Sequence, residues 1–372
     1  MPKEQFVVTP WEVSGKVDYE KLIKEFGTEP LTPQLLNRLY KLAGGSHFML
    51  RRGIFFSHRD LKWLLDEYEK GNKFFLYTGR GPSGGTHIGH LLPWILTKWL
   101  QDKFDAELWF QFTDDEKFLF KDLTLEQTHS IAYENALDVI AIGFNPKKTH
   151  FLFDTDNAGV MYREAIKIAK KITASTVKAA FGFDDSRNIG EFFVTSMQAV
   201  PAILPSVLKG KNIPCLIPLA VDQDPHFRVA RDVYPKLGFY KPAIIHAKFL
   251  GGLLADAKMS SSIPNSTIYT TDTAKEVEEK IRKHAFSGGR GSLAEHKKYG
   301  GNPDIDVCYQ WLQAFFEPDD KKLEKIYNDY KSGKLLTSEL KAYTIEKINA
   351  FLKEHQKKRE LAKKQLGKFL YK

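Results

Sequence analysis

The sequence of 372 residues contains only two cysteines, Cys215 and Cys308, and their separation does not fit a metal site. Two cysteines provide no disulfide framework, which favours a reducing compartment. No apolar run is long enough to span a bilayer, and one of the longest, residues 215–221, is interrupted by Pro218. The first residues also lack the hydrophobic region of a signal peptide. We therefore expect a cytoplasmic protein without membrane segments.

Basic residues outnumber acidic ones, and the net charge is +9. Much of the excess lies near the end of the chain, in Lys353, Lys357, Lys358, Arg359, Lys363, Lys364, Lys368 and Lys372. A basic surface indicates a polyanionic partner, of which nucleic acid is the first candidate. A solvated lysine-rich helix would produce the same pattern, so charge alone leaves both interpretations open.

The hydrophobic pattern divides the chain into three segments. Residues 1–70 contain short amphipathic helices and are predicted to form an N-terminal extension. In residues 71–271 strand patterns alternate with helical patterns, which predicts a Rossmann-like, doubly wound parallel sheet. Residues 272–372 are predicted to form an all-helical domain whose last helix could pack back on the sheet domain.

The individual elements can be assigned from the same pattern. The predicted strands of the middle segment span residues 73–78, 107–113, 149–153, 213–221 and 242–247. Its predicted helices span residues 90–104, 124–142 and 225–237. The helices of the last segment are predicted at residues 273–284, 306–316, 319–330 and 337–366. Parallel sheets of this kind bind ligands at the carboxyl ends of their strands, which is where we expect a site.

The stretch TGRGPSGGTHIGH, residues 78–90, directly follows the first predicted strand of the sheet. One interpretation is a flexible loop rich in small residues. The other is an anion site, because a glycine-rich turn before a helix N-terminus exposes backbone N–H groups to a ligand. His87 and His90 would lie on one face of the first helical turn and could donate hydrogen bonds to phosphate oxygens. Gly89 would let a flat base lie against the backbone.

A second stretch, Lys258-Met259-Ser260-Ser261-Ser262, follows the last predicted strand. A lysine beside several hydroxyl groups is suited to a loop that holds a triphosphate, although polar surface loops often have such a composition. The combination of the two stretches is more specific than either alone. HxGH after the first strand and KMSxS after the last form the double signature of the class I aminoacyl-tRNA synthetases, and the chain resembles that family.

Further stretches narrow the resemblance to one branch of the family. They are RRGIFFSHRD, YTGRGPS, QFTDDEK, AVDQDP and AFSGGR, at residues 51–60, 77–83, 111–117, 220–225 and 285–290. Together they are similar to the tryptophan-specific synthetases of the eukaryotic cytosol and the archaea, over nearly the whole chain. The resemblance implies activation of L-tryptophan with ATP and transfer to tRNA(Trp). It also implies a homodimer, anticodon recognition by residues 272–372, and no cofactor beyond ATP with Mg²⁺.

The resemblance also implies the site residues, in three groups. The catalytic group comprises His87, His90, Lys258, Ser260 and Ser262. The ATP-binding group comprises Thr78, Gly79, Arg80, Gly81, Gly89, Lys117, Asp222 and Met259. The tryptophan-binding group comprises Tyr77, Gln111, Glu116, Gln198 and Gln223. No protein-held metal is implied, since Mg²⁺ would arrive on ATP.

Within the tryptophan group, Tyr77 and Gln111 would face the indole N–H. The remaining members, Glu116, Gln198 and Gln223, would hold the ammonium and carboxylate groups of the amino acid. Taken singly, the glutamines would be read as ordinary polar residues, and only the surrounding motifs assign them a role.

Three alternatives remain. The tyrosine-specific synthetases share the fold and both signatures, but a tyrosine pocket needs a partner for a phenol hydroxyl. A small-metabolite nucleotidyltransferase of the HxGH type would have no use for the helical domain or the basic tail. A paralogue that only binds RNA would not need an intact set of His87, His90, Lys258 and Glu116. An amino-acid-dependent exchange assay separates these alternatives.

Overall fold

The computed structural model describes residues 7–8, 13–14, 17–254, 259 and 266–372. Two short strands, β1 (Val7–Val8) and β2 (Val13–Ser14), form an antiparallel pair. The strands of the main sheet are β3 (Glu29–Pro30), β4 (Phe55–Arg59), β5 (Phe75–Arg80), β6 (Leu108–Phe112), β7 (Thr149–Phe153), β8 (Cys215–Ala220) and β9 (Ala243–Ala247).

The main sheet has the strand order β3-β4-β9-β8-β5-β6-β7. The five strands from β9 to β7 are parallel, whereas β3 and β4 add an antiparallel edge to β9. Strand β5 lies between β8 and β6. From β5 the chain adds β6 and β7 on one side, and it later returns to add β8 and β9 on the other side. A crevice opens at the carboxyl ends of the strands at such a switch point. The predicted Rossmann-like fold is confirmed.

Helices surround the sheet. Those of the first half are α1 (Tyr19–Phe26), α2 (Pro33–Ala43), α3 (Phe48–Arg51), α4 (Leu61–Glu69), α5 (Ile88–Phe104), α6 (Asp114–Phe120), α7 (Leu125–Ile142) and α8 (Ala158–Ala169). Those of the second half are α9 (Ala174–Phe181), α10 (Ile189–Met197), α11 (Leu204–Lys209), α12 (Asp224–Val233), α13 (Ala274–His284), α14 (Leu293–Tyr299), α15 (Val307–Trp311), α16 (Asp320–Lys331) and α17 (Thr337–Ala362).

Both faces of the sheet are covered by apolar residues, as a parallel sheet requires. One core includes Leu76 and Phe110 with residues of α5, α7 and the C-terminal helices. The other includes Trp109 and Leu152 with residues of α8, α10 and α11. The alternation of neighbouring residues such as Trp109 and Phe110 between the cores follows from the two-residue period of a strand.

The C-terminal segment returns to the sheet domain. In α17, His355 and Arg359 contact the carboxylates of Asp138 and Glu134 in α7. The last residues then run beside β7, where the Phe151 N–H donates to the carbonyl of Phe369 at 2.7 Å. This contact covers an edge strand that would otherwise expose unpaired backbone groups.

The predicted strands and helices agree with the structure to within a few residues, except where the sequence pattern is weak. Strands β1 to β4 and helices α3, α6, α8 to α11 and α14 were not among the predicted elements. The boundaries at residues 70/71 and 271/272 stay a prediction. The structure adds that β4, within residues 1–70, pairs with β9 in the main sheet, so the extension is continuous with the sheet.

Candidate active site

The candidate site lies at the carboxyl ends of β5, β6, β7 and β8. The residues after β5 form a turn and then enter α5 at Ile88, while those after β6 enter α6 at Asp114. A Cβ on Gly81 would collide with the Lys117 side chain and lie 3.2 Å from Glu116 Oε2. The turn after β5 and the first turn of α6 are therefore in direct contact, and the residues predicted from the two motifs line one crevice.

His87 and His90 stack on each other at the start of α5. Their ring centroids are 3.5 Å apart, with 24° between the ring planes. The backbone N–H of His87 donates to His90 Nδ1 at 3.1 Å. Because Nδ1 accepts, a neutral His90 ring carries its proton on Nε2 and can donate from that atom. The pair has the arrangement expected for phosphate donors at a helix N-terminus.

Arg80, at the end of β5, is half-buried, and burial lowers the pKa of its guanidinium to about 10. Its Nε donates to Asn135 Oδ1 at 3.2 Å, and Asn135 Nδ2 in turn donates to the Gly84 carbonyl at 3.1 Å. Within the described part of the chain, Arg80 Nη2 and Thr86 Oγ1 are buried without a hydrogen-bond partner. Buried donors of this kind are costly unless a ligand or water satisfies them, so both atoms are available to a bound molecule.

The glycines of this turn leave room for close backbone contacts. A Cβ on Gly79 would lie 2.8 Å from the Gln111 backbone oxygen, and one on Gly89 would lie 3.1 Å from His87 Nδ1. Gly79, Gly81 and Gly84 also have the G-x-G-x-x-G spacing of dinucleotide-binding loops. The helix, however, begins only at Ile88, so Gly84 lies in the turn and not at the helix start.

Three of the residues predicted for the second signature, Lys258, Ser260 and Ser262, lie outside the described residues. Met259 is described and is 2% exposed, and its Sδ would lie 3.4 Å from a Cβ on Gly89. The two signatures therefore meet at Gly89. The Leu253 N–H donates to the Ser266 carbonyl at 2.8 Å, which joins the two ends of this segment.

Tyr77 and Gln111 form the apolar end of the crevice. The Tyr77 hydroxyl donates to Gln111 Oε1 at 2.5 Å, and the backbone oxygen of Gln198, 3.0 Å away, is a second acceptor that competes for the same proton. Gln198 Oε1 is buried and has no partner among the residues that the structure describes. The three residues predicted from two strands and a distant helix are thus brought together, with acceptor oxygens in the pocket.

Glu116 lies at the start of α6, 6% exposed, and contacts Lys117 Nζ and the Thr113 hydroxyl at 2.7 and 2.6 Å. Burial alone would raise the pKa of Glu116, but Lys117 and Thr113 outweigh burial and lower it. The carboxylate is therefore ionised at neutral pH and can attract an ammonium group. Lys117, predicted to bind phosphate, is paired with Glu116 in this structure.

The residues after β8 form the opposite wall. Asp222 is 4% exposed and Gln223 is half-buried. Burial raises the pKa of Tyr19, at the start of α1, to about 12, and the nearby Asp222 adds to the rise. Tyr19 also accepts from the Phe249 N–H at 3.0 Å. The N-terminal extension consequently reaches the wall that holds Asp222.

Several residues of the site were not predicted from the sequence. Asp154 follows β7 and accepts from Gln111 Nε2, and His226 in α12 is buried close to Glu116. Burial lowers the pKa of His226 to about 4, so this ring is neutral at physiological pH. Position directly after a parallel strand is the signal that would have identified Asp154.

Comparison with known proteins agrees with this geometry. The family model for class I tRNA synthetases (W and Y) matches residues 69–353. A tryptophan–tRNA ligase of Saccharolobus solfataricus is 54% identical over 100% of this chain and 96% of its own. The chain belongs to the tryptophan–tRNA ligase family. Because that family is a subset of the class I enzymes, the predicted class and the predicted branch are both confirmed.

Solved structures of tryptophanyl-tRNA synthetases have the same architecture. The Giardia lamblia enzyme superposes with a TM-score of 0.89 at 38% identity, over 95% of this chain and 96% of its own. The Encephalitozoon cuniculi enzyme bound to tryptophan has a TM-score of 0.88 at 39% identity, over 96% and 98% of the two chains. Within the described ranges of this tryptophan–tRNA ligase family member, no helix has both the length and the apolar character needed to cross a bilayer.

Proposed function

We propose that the chain activates L-tryptophan with ATP to tryptophanyl-adenylate and transfers the tryptophanyl group to tRNA(Trp). The observation that carries the proposal is the buried acceptor pair of Tyr77 and Gln111 on β5 and β6, while the stacked histidines follow the turn after β5. An amino-acid pocket and a phosphate-binding helix start would therefore lie at the same edge of the sheet. Since tRNA is charged in the cytoplasm, we place the protein there as part of the same proposal.

The pocket favours tryptophan through its hydrogen-bonding groups. Tyr77 and Gln111 would accept the indole N–H, and an amino acid without this donor would leave buried polar atoms unpaired. Glu116 would bind the ammonium group, with Gln198 and Gln223 at the ammonium and carboxylate. No natural amino acid is larger than tryptophan, so rejection of smaller side chains does not need an editing domain.

In the activation step, a carboxylate oxygen of tryptophan forms a bond to the α-phosphorus of ATP. The bond from that phosphorus to the bridging oxygen of the β-phosphate breaks, and pyrophosphate leaves with the electron pair. His87, His90 and Lys258 would donate to the leaving phosphates. The hydroxyls of Ser260 and Ser262, in the same signature as Lys258, would help to hold the triphosphate. Little covalent chemistry falls to the protein, so positioning and charge stabilisation provide the rate.

The crevice fits ATP on two observations. First, Arg80 Nη2 and Thr86 Oγ1, which are buried without a partner among the described residues, would donate to phosphates. Second, His87 and His90 stack at the start of α5, where a helix N-terminus favours an anion. Asp222 would bind the ribose hydroxyls. In the described ranges no cluster of three His, Cys, Asp or Glu side chains could hold a metal. Mg²⁺ that enters with ATP would neutralise part of the phosphate charge.

The second step uses the rest of the molecule. The terminal adenosine of tRNA(Trp), through its 2′-hydroxyl, attacks the adenylate carbonyl and AMP leaves. Residues 272–372 would recognise the anticodon, because unstacked bases can be read individually and this segment is basic. In that segment the aromatic side chains of Phe286 and Tyr299 are 40% and 60% exposed, which is suited to stacking with bases.

A homodimer is the third part of the proposal. The exposed apolar side chains of α8 and α10 include Tyr162, Ile166 and Ile189, which are 56%, 44% and 89% exposed. Such a patch is unusual on a monomer and fits a second copy of the chain. We expect Ile189→Glu to convert a dimer into a monomer in sedimentation experiments. A wild-type protein that sediments as a monomer would contradict this part of the proposal.

The experiment that tests the activity is amino-acid-dependent exchange between ATP and pyrophosphate, with tryptophan and tyrosine compared side by side. We expect exchange with tryptophan and at least a hundredfold less with tyrosine. Exchange with tyrosine only would show a tyrosine-specific enzyme. Exchange with neither would show that the intact signatures do not support activation.

A further inference from the structure

Asp154 is the first residue after β7 and is 1% exposed. Its two carboxyl oxygens lie 2.8 and 2.9 Å from Nε2 of Gln111. The Asp154 side chain lies behind Gln111, which separates it from the Tyr77 hydroxyl and the pocket. The contact therefore acts on the ligand only through Gln111.

A glutamine amide has a donor end and an acceptor end, and its neighbours decide which end faces the pocket. With Nε2 bound to Asp154, the amide oxygen lies 2.5 Å from the Tyr77 hydroxyl, which donates to it. The lone pairs of both groups then remain to accept from a ligand. In the reversed orientation, the NH₂ group would face Tyr77 and the pocket would present hydrogens to a ligand that itself has only an N–H.

We propose that Asp154 is a positioning residue for indole recognition, which holds the amide of Gln111 so that the pocket of Tyr77 and Gln111 presents acceptors only. The inference rests on the proposed function, because the indole N–H is the donor that this pocket would accept. It adds a determinant of specificity that lies outside the residues implied by the sequence motifs.

The neighbouring carboxyl group of Asp115 influences whether Asp154 is protonated. Asp115, at the start of α6, hydrogen-bonds to Asp154, and two carboxyl groups can do so only if one holds a proton. Burial raises the pKa of Asp115 to about 6, with a further rise from the charges of Asp114 and Glu116, and burial with the charge of Asp115 raises the pKa of Asp154 well above its ordinary range. A proton shared by the pair therefore favours Asp154, which can donate to Asp115 while accepting from Gln111.

A protonated carboxyl and a carboxamide have the same donor and acceptor pattern. Asn at position 154 would donate to Asp115 and accept from Gln111, so Asp154→Asn should hold the amide in the same orientation. Asp154→Leu has a similar size but offers no acceptor, and it frees the amide to rotate. Asp154→Asn therefore tests whether a negative charge is needed, and Asp154→Leu tests whether side-chain volume is enough without hydrogen bonds.

The test is ATP–pyrophosphate exchange with tryptophan and with an analogue whose ring N–H is replaced by sulfur. Asp154→Leu should lower kcat/KM for tryptophan about tenfold to a hundredfold, since a buried amide loses its partner, and change the analogue much less. Asp154→Asn should keep the wild-type preference within about threefold. Asp154→Ala replaces the leucine variant if that variant does not fold.

Thr149→Val is the matched control. Thr149 is the first residue of β7, and the pocket lies at the other end of that strand. Its hydroxyl accepts from Gln101 Nε2 at 3.0 Å. The Thr149→Val variant loses one buried hydrogen bond but should keep the preference for tryptophan over the analogue. An unchanged preference in Asp154→Leu, or an Asn variant as impaired as the Leu variant, would overturn the inference. A wild-type enzyme inactive with tryptophan would instead overturn the proposed function.

Discussion

Replacing Arg59 with methionine should destabilise the fold strongly, because Arg59 joins the N-terminal extension to the wall of the site. Its Nε and Nη2 each donate to the Asp224 carboxylate at 2.7 Å. The same guanidinium donates to the carbonyls of Phe26 and Gly27 at 2.5 and 3.1 Å. Asp224 is part of the turn that holds Asp222 and Gln223, so this ion pair also supports the site.

The magnitude follows from burial. The side chains of Arg59 and Asp224 are 12% and 0% exposed, and removing one partner of a buried pair costs about 3–5 kcal/mol. Arg38→Met is the control, since Arg38 makes comparable contacts to Asp66 and Glu69, at 2.7 and 2.6 Å, on the surface. The exposed fractions there are 25%, 42% and 47%, which limits the expected loss to about 0–1 kcal/mol.

The assay is urea unfolding followed by circular dichroism, at neutral and at acidic pH. Burial alone would raise the pKa of Asp224, but the contacts from Arg59 and His246 outweigh it and hold that pKa well below the ordinary range. This contribution to stability is therefore present above about pH 4 and is lost as the pH falls below that. The stability difference between the wild type and Arg59→Met should narrow from pH 7 to pH 3. A loss no larger than that of Arg38→Met would refute the reasoning.

Three further outcomes are expected. His90→Ala should lower kcat for tryptophan-dependent exchange about a hundredfold, with the Kd for tryptophan within twofold in calorimetry, because we assign the ring to the leaving phosphates and not to the amino acid. Gly89→Ala should raise the KM for ATP in the same assay, since its Cβ would press on His87 and Met259. Burial lowers the pKa of His226 to about 4, so the wild type should lose stability between about pH 6.5 and 4. His226→Gln should lose less over that interval in thermal unfolding, and an equal loss would contradict the burial argument.

The parallel core of the fold was predictable because its signals are local. Strands β5, β6 and β7 are short, mostly apolar segments, as strands buried on both faces must be, and long helical patterns occur after β5 and after β6. The histidine motif could be placed for the same reason, since it directly follows β5. A strand end and a helix start that are adjacent in sequence are necessarily adjacent in space.

The missing elements depend on contacts that no local pattern contains. Strand β4 has only five residues and is stabilised by pairing with β9, almost 200 residues later in the chain. Asp154 and His226 have titratable side chains, and both are buried by partners from other elements. By composition such residues are expected on the surface, so only the assembled structure shows that they lie behind the pocket.

The geometry of the histidine pair is likewise determined by distant segments. The Thr86 carbonyl accepts from the backbone N–H and the hydroxyl of Thr270 at 2.9 and 3.1 Å, just after the second signature. Gln356 of α17 donates to the Thr270 carbonyl at 2.9 Å. A continuous set of hydrogen bonds thus leads from the helical segment to the residue before His87. Because Thr270 holds the Thr86 carbonyl and Asn135 holds the Gly84 carbonyl, the turn at Gly84 and Gly85 has a defined shape despite its glycines. The spacing of HxGH specifies the chemistry, whereas these contacts specify where the rings point.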